Sequence, residues 1–283
     1  MKWPDDATDW PMRDYSQHVL CRPHRWHIQR AGSGRPLLLI HGAGGATQSW
    51  RNIYPLLESS FELIAVDLPG QGFTRSGART RHGLEPMAED LLSLLQELEF
   101  EPHSIVGHSA GVAIALRMVE IGCSAQSVFG INAALGNFDG VAGWLFPFLA
   151  KALSLTPFAA NVFAATTTRS SVRQLLIGTG SQIDERGEEL YYRLATNAEH
   201  VDGTLSMMAQ WSLEGLLERM DKITTNIHLL ASTNDKAVPF TVSKQAAERL
   251  PNSTLVTFDA LGHLAHEENA QMVANWILSK LEA

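Results

Sequence analysis

Residues 105–111 read IVGHSAG, and this stretch decides the fold class because it joins two different patterns. The apolar residues at its start are typical of a buried strand, and the small residues that follow are typical of a helix. The motif G-x-S-x-G falls at the junction, in a tight turn that strains the serine and exposes its hydroxyl. The pattern predicts that Ser109 is a nucleophile, and the alternative is a buried serine that caps the helix.

A serine hydroxyl needs a base to take its proton, and the base needs an acid to fix its tautomer. When a strand–turn–helix carries the serine, the acid and then the histidine follow along the chain. His263 comes directly after the last apolar run and is the predicted base, whereas His266 is expected to be a local hydrogen-bond partner or a surface residue. Asp235 is the only carboxylate in the loop STNDKAVPF after the preceding run, and it is the predicted acid. The alternative for Asp235 is a turn residue.

Short apolar runs alternate with segments of helical spacing along most of the chain. The runs lie at 37–40, 62–68, 104–108, 127–132, 226–232 and 253–258. The helical patterns begin after residue 82 and cover 110–120, 242–250 and 269–283. Alternation of this kind predicts an α/β protein with a mainly parallel sheet covered on both faces.

The alternation stops between residues 135 and 211, which are too long for a plain connection. The sequence predicts that 135–211 form an inserted helical cap and that 1–134 and 212–283 form the core. Residues 138–165 carry only two charges and many aromatic side chains. They are expected to pack a small core of their own. The alternatives are a contact with a membrane surface or the wall of an apolar pocket, to which Trp144, Phe146 and Phe148 would belong.

The stretch LLLIHGAGGATQSW (37–50) is a glycine-rich turn after a strand. Two kinds of site have such a turn: the phosphate-binding turn of a dinucleotide-binding domain, and the backbone loop that helps to hold an oxyanion in a hydrolase. A dinucleotide-binding turn needs a third glycine where this chain has Thr47, although Asp67 stands about where the acid of such a site is found. The hydrolase interpretation gives the turn a task alongside Ser109. It predicts an oxyanion hole formed by the backbone N–H groups of Ala43 and Ala110.

Composition excludes several classes of protein. The 283-residue chain has a formal net charge of −8, which disfavours nucleic acid as a partner. It has two cysteines and no cluster with metal-ligand spacing, so neither a disulfide framework, a cofactor nor a metal is expected. The N-terminal residues do not resemble a signal peptide, and no apolar run is long enough to span a membrane. A cytoplasmic location is expected.

The motifs HGAGG, DLPGQG, GHSAG, NDKAVP and ALGH occur in the order seen in the α/β-hydrolase superfamily, which the chain resembles over nearly its whole length. A closer resemblance is to the magnesium-chelatase-associated hydrolases of bacteriochlorophyll biosynthesis, the BchO type. It is carried by WPDDATDWPMRD, RWHIQRAGSG, DLPGQGFT, LFPFLAKAL, IGTGS, MMAQW and GHLAHEE. The resemblance implies an α/β-hydrolase fold, with a mostly parallel eight-stranded sheet flanked by helices and an inserted helical cap. One departure is Thr74, where many superfamily members have serine.

Two functions of different classes follow. The first is a serine hydrolase that cleaves an ester or related bond of an apolar small molecule and is linked to bacteriochlorophyll biosynthesis. The second is a non-catalytic accessory protein, or a carrier of a porphyrin intermediate, associated with magnesium chelatase. The ordered serine, aspartate and histidine favour the first, because binding alone requires no such set.

Overall fold

A single eight-stranded sheet forms the centre of the computed structural model, which describes residues 1–136 and 158–281. Its strands are Ser16–Cys21 (β1), His24–Gly32 (β2), Arg35–Ile40 (β3), Phe61–Val66 (β4), Ser104–His108 (β5), Ser127–Ile131 (β6), Asn226–Ser232 (β7) and Ser253–Phe258 (β8). Their spatial order is β1-β2-β4-β3-β5-β6-β7-β8. Strand β2 is antiparallel to β1 and β4, and the other neighbouring pairs are parallel. The mostly parallel eight-stranded sheet is therefore confirmed.

The six apolar runs correspond to β3 to β8, whereas β1 and β2 do not appear as apolar runs in the sequence. Strand β2 carries polar side chains that are nevertheless buried, including His27 and Gln29. The Gln29 amide nitrogen donates to the Pro11 carbonyl oxygen at 2.7 Å. Hydrogen bonds of this kind allow polar residues inside a sheet, and hydrophobic patterning cannot detect such strands.

The helices flank the sheet and fill the connections between strands. The described α-helices are Tyr54–Leu57 (α1), Leu84–Glu97 (α2), Ala110–Glu120 (α3), Ala159–Thr166 (α4), Arg169–Gly178 (α5), Glu185–Ala195 (α6), Ala198–Gln210 (α7), Glu214–Glu218 (α8), Phe240–Arg249 (α9), Ala265–Glu268 (α10) and Ala270–Leu281 (α11). Short 3₁₀ turns occupy Asp5–Ala7, Arg13–Tyr15, Thr47–Trp50, Arg79–Arg81 and Met220–Lys222.

Strand β3 is buried on both faces. Leu38 and Ile40 pack into one apolar core with helices α2 and α3, and Leu37 and Leu39 pack into the opposite core with α1 and α11. This explains why its sequence is continuously apolar rather than alternating. The carboxyl ends of the central strands are consequently held between two packed layers, and the loops that follow them start from fixed positions.

Helices α4 to α7 lie between β6 and β7, in the described part of the segment predicted as a cap. The first of them, α4, and the residue before it expose large apolar side chains, namely Phe158, Val162 and Phe163. The boundaries 135 and 211 remain a prediction. Most of the aromatic stretch 138–165 lies outside the described residues.

Candidate active site

Ser109 occupies the turn between β5 and α3 in a conformation that is unusual for a residue with a side chain. Its φ and ψ angles are 52° and −118°, and a non-glycine residue with positive φ is strained. Hydrogen bonds hold the turn in place, since the Ser109 N–H donates to the Ile131 oxygen at 2.9 Å and the Val112 N–H donates to the Ser109 oxygen at 3.1 Å. This is the conformation that the G-x-S-x-G pattern predicts.

The two glycines of the motif are required by close packing of backbone on backbone. A Cβ atom on Gly107 would lie 2.7 Å from the carbonyl carbon of Gly111. A Cβ atom on Gly111 would clash with the Ile40 oxygen and lie 2.8 Å from the His41 oxygen. The first turn of α3 therefore rests directly on the end of β3. Any larger residue at position 111 would push the two apart.

Asp235 and His263 follow the ends of β7 and β8 and form a hydrogen-bonded pair. The His263 Nδ1 lies 2.8 Å from the Asp235 Oδ2, and both side chains are largely buried. The other carboxylate oxygen, Oδ1, accepts hydrogen bonds of 2.8 Å from the N–H groups of Ala237 and Val238. Because an ionised carboxylate only accepts, Nδ1 carries the proton and Nε2 is left as the basic nitrogen of His263.

Ser109 and His263 lie at the same edge of the sheet and are connected through neighbouring residues. The ring of His108 lies 4.7 Å from the ring of His263, and its Nε2 lies 2.9 Å from the His263 carbonyl oxygen. Asn132, at the end of β6, donates to the same oxygen at 2.8 Å. In the described part of the chain, no hydrogen bond joins the Ser109 hydroxyl to the His263 ring. Such bonds are often long in unliganded enzymes and shorten when substrate binds.

The glycine loop, residues 41–46, is fixed by hydrogen bonds to the Gly42 carbonyl oxygen and to the His41 ring. The His41 Nδ1 lies 2.7 Å from the Gly42 oxygen, to which the Gly45 N–H also donates at 3.1 Å. The Leu68 N–H donates to Nε2 of His41 at 3.0 Å, so this ring is neutral with its proton on Nδ1. The peptide between Gly42 and Ala43 is thus fixed through its oxygen.

The N–H groups of Ala43 and Ala110 donate to no other residue that the structure describes. Ala110 is the first residue of α3, where backbone N–H groups have no partner within the helix. The two amides predicted to form the oxyanion hole are therefore available as donors. They belong to two segments that are in contact where Gly111 meets β3.

Asp67 fixes the loops around the site and is not exposed to a ligand. Its Oδ1 accepts from the Thr47 N–H at 2.6 Å, and its Oδ2 accepts from the Phe73 N–H at 2.8 Å and lies 2.7 Å from the His27 Nδ1. Burial raises the pKa of this carboxyl, but attraction to His27 and these hydrogen bonds outweigh burial and lower the pKa to about 2. The carboxylate that stands where a dinucleotide-binding site would have its acid is therefore part of an internal hydrogen-bond network.

The segment Thr179–Gln182, between β6 and β7, contacts both the loop that carries Asp235 and the loop that carries His263. The Lys236 N–H donates to the Thr179 oxygen at 3.0 Å, and the Leu264 N–H donates to the Ser181 hydroxyl oxygen at 2.9 Å. A Cβ atom on Gly180 would clash with the Asn234 oxygen. The sequence did not predict these contacts. Thr179, Gly180 and Ser181 nevertheless belong to the IGTGS motif, which carries part of the family resemblance.

His266 corrects one expectation, since it is neither a surface residue nor a hydrogen-bonding one. Its ring is fully buried and lies 4.8 Å from the Trp50 ring and 4.5 Å from the His108 ring. Neither ring nitrogen has a hydrogen-bond partner among the described residues. Burial, followed by the charge of Arg51, lowers the pKa of His266 to about 3. His41 and His108, by contrast, are buried and hydrogen-bonded.

The predicted pocket residues Trp144, Phe146 and Phe148 lie outside the described residues. Within the described ranges, no group of three or more His, Cys, Asp or Glu side chains could hold a metal ion. No helix in those ranges is long and apolar enough to cross a membrane.

Residues 37–276 match the alpha/beta hydrolase family, and the chain belongs to this family. It is 43% identical over 278 residues to the magnesium-chelatase 30 kDa subunit of Rhodobacter capsulatus, and the match covers 97% of each chain. The resemblance to the magnesium-chelatase-associated group is therefore confirmed.

Two solved structures show the same fold at low sequence identity. Epoxide hydrolase CorEH without ligand is 21% identical, with a TM-score of 0.79 over 93% of this chain and 97% of its own. CarC, a serine hydrolase involved in carbazole degradation, is 22% identical, with a TM-score of 0.77 over 94% of this chain and 98% of its own. The α/β-hydrolase fold is confirmed.

The close packing at Gly111 leads to a stability prediction. Gly111→Ala should lower the free energy of unfolding by about 1–3 kcal/mol, because the added methyl group overpacks the contact between α3 and β3. The matched control is Gly178→Ala at the end of α5, where an added Cβ meets nothing within 4 Å. That change should raise stability by about 0.5–1 kcal/mol. Equal effects of the two changes in urea denaturation would contradict the packing argument.

The buried histidines lead to a pH prediction. The pKa values of His200 and His266 are each lowered to about 3, mainly by burial, so the unfolded chain takes up protons first as the pH falls. The free energy of unfolding should therefore decrease from about pH 6.5 down to about pH 3, by about 1.4 kcal/mol per pH unit for each histidine. His266→Phe should remove one such contribution. Urea denaturation at several pH values measures the slope, and an unchanged slope in the variant would refute the assignment.

Proposed function

We propose that the protein is a serine hydrolase in which Ser109, His263 and Asp235 cleave an ester or related bond of an apolar small molecule. The observation that carries the proposal is the Asp235–His263 hydrogen bond of 2.8 Å, at the same edge of the sheet as the strained serine. A structural aspartate at a turn would not need to orient a histidine ring, and a capping serine would not need positive φ.

The chemistry follows from the hydrogen bonds of each group. Ser109 attacks the carbonyl carbon of the substrate while its proton passes to Nε2 of His263, and Asp235 stabilises the resulting imidazolium. The proton then goes to the leaving group, which departs and leaves an acyl group on Ser109. In the second half, His263 takes a proton from water, the resulting hydroxide attacks the acyl carbon, and Ser109 recovers its proton.

The negative oxygen that forms in each half needs donors that are already in place. The N–H groups of Ala43 and Ala110 are proposed for this role, because both lack another partner among the described residues and lie on either side of the contact between α3 and β3. The loss of one such donor costs about 3 kcal/mol of transition-state stabilisation.

The substrate is proposed to lie between the core and the segment 135–211, which would act as a cap. Trp144, Phe146 and Phe148 remain the proposed apolar lining, on the strength of the sequence alone. The link to bacteriochlorophyll biosynthesis is supported by the 43% identity to a protein named as a magnesium-chelatase subunit. An apolar pigment precursor that carries an ester fits both arguments.

Labelling with a fluorophosphonate tests the nucleophile. The wild-type protein should form a covalent adduct at Ser109, and Ser109→Ala should form none. His263→Ala should react about a thousandfold more slowly, because the hydroxyl loses its base. Gly178→Ala is the control, since an added Cβ at position 178 meets nothing within 4 Å, and it should react like the wild type. Equal labelling of wild type and Ser109→Ala would refute the proposed nucleophile.

A second candidate is the non-catalytic accessory or carrier role, favoured by the chelatase name of the relative. Complementation separates the two in a bacteriochlorophyll-producing strain that lacks the protein. If hydrolysis is the physiological role, Ser109→Ala should fail to restore pigment, while Gly178→Ala should restore it fully. Immunoblotting should establish equal amounts of both variants. Full restoration by Ser109→Ala would instead support the carrier.

A further inference from the structure

We propose that His200, on helix α7 of the insertion, is a positioning residue that holds the glycine loop in the shape required for oxyanion binding. This inference rests on the proposed hydrolase function. His200 is buried, with 3% of its surface exposed. Its Nε2 lies 3.2 Å from the Gly44 oxygen, and its Nδ1 lies 3.0 Å from the Gly72 nitrogen. One side chain thus connects the insertion to both loops that follow β3 and β4.

Only one form of the His200 ring satisfies both contacts. The Gly72 N–H can only donate, so Nδ1 must be unprotonated, and the Gly44 carbonyl can only accept, so Nε2 must carry the proton. Burial favours the same neutral form, because it lowers the pKa of His200 to about 3. The ring therefore acts as a fixed donor to Gly44 and a fixed acceptor for Gly72 at neutral pH.

Helix α7 is seated on these loops by contacts that only glycine permits. A Cβ atom on Gly203 would clash with the Gly70 oxygen, and one on Gly70 would lie 2.9 Å from the Gly203 Cα. Gln71 adds a second connection, because its Oε1 accepts from the Gly44 N–H at 2.8 Å and its Nε2 donates to the Met207 sulfur at 3.3 Å. The helix cannot shift without disturbing the glycine loop.

Gly44 is the place where such support matters. Its φ is 76°, a backbone conformation that glycine enters and leaves easily. It directly follows Ala43, the proposed donor to the oxyanion. With its N–H held by Gln71 and its oxygen held by His200, both of its peptide units are fixed. Donors to a developing charge are effective only when they are oriented before the reaction. Loss of the hydrogen bond from His200 to Gly44 should therefore slow the reaction without altering the proposed triad.

Two variants of His200 separate its two hydrogen bonds. Asparagine can place its amide oxygen near the position of Nδ1, which retains the acceptor for Gly72 and removes the donor to Gly44. Glutamine can place its amide nitrogen near the position of Nε2, which retains the donor to Gly44. The measurement is the rate constant for fluorophosphonate labelling of Ser109, together with the melting temperature of each variant.

We expect His200→Asn to label about 10-fold to 30-fold more slowly, somewhat less than the effect of deleting an oxyanion donor, and His200→Gln to label within about threefold of the wild type. Labelling by His200→Asn at the wild-type rate would overturn the inference while the proposed function stands. Equal slowing of both variants, in step with their melting temperatures, would overturn it as well and leave a purely structural role. A wild-type protein that labels no better than Ser109→Ala would refute the proposed function, and the inference with it.

A nuclear magnetic resonance measurement provides a readout that does not depend on hydrolysis. In protein labelled with ¹⁵N-histidine, His200 should give the signals of a neutral ring with the proton on Nε2, unchanged between pH 5 and 8, values well above its pKa of about 3. Assignment follows from the signals that disappear in His200→Gln. A ring that titrates in this interval, or that carries its proton on Nδ1, would overturn the inference whatever the labelling rates show.

Discussion

The first turn of helix α3 lies closer to the end of strand β3 than any residue with a side chain would allow. Gly111 makes this contact with the backbone oxygens of Ile40 and His41. The same approach forces the turn before the helix to be tight, and Ser109 takes the strained conformation. It also sets the beginning of the glycine loop beside the beginning of α3. The positions of the hydroxyl and of both candidate oxyanion donors therefore depend on one backbone contact.

Residues of the segment between β6 and β7 also fix the loops around the candidate site. Thr179 and Ser181 accept hydrogen bonds from the loops that carry Asp235 and His263, and His200 bonds the loops that follow β3 and β4. Loops that connect strands and helices are in general more mobile and more variable in sequence than the elements they join. A segment that resembles a lid in the sequence is thus, in its described part, a support for the candidate site from two sides.

The sequence predicts the parts of this molecule whose signals are local. The strands β5, β7 and β8 and the helix α3 follow from apolar patterning and agree with the structure residue by residue. Strands β1 and β2 were not predicted from patterning, because β1 is only half-buried or exposed and β2 carries buried polar side chains whose partners are distant along the chain. His266 was misplaced for a related reason, since a histidine between two aromatic rings has no local signature. Asp67 stands where a dinucleotide-binding site has its acid, and its contacts with Thr47, Phe73 and His27 show that it has an internal structural role instead.

The hydrogen bond between His108 and the carbonyl of His263 joins residues 155 positions apart in the chain. Contacts between residues so far apart form slowly, because a long loop must close before any of them stabilises the chain. The segment Thr179–Gln182 lies within that loop and bonds to its far end. We therefore expect the proposed triad to assemble late in folding, and labelling of Ser109 would then report the folding of the whole chain rather than of the sheet alone.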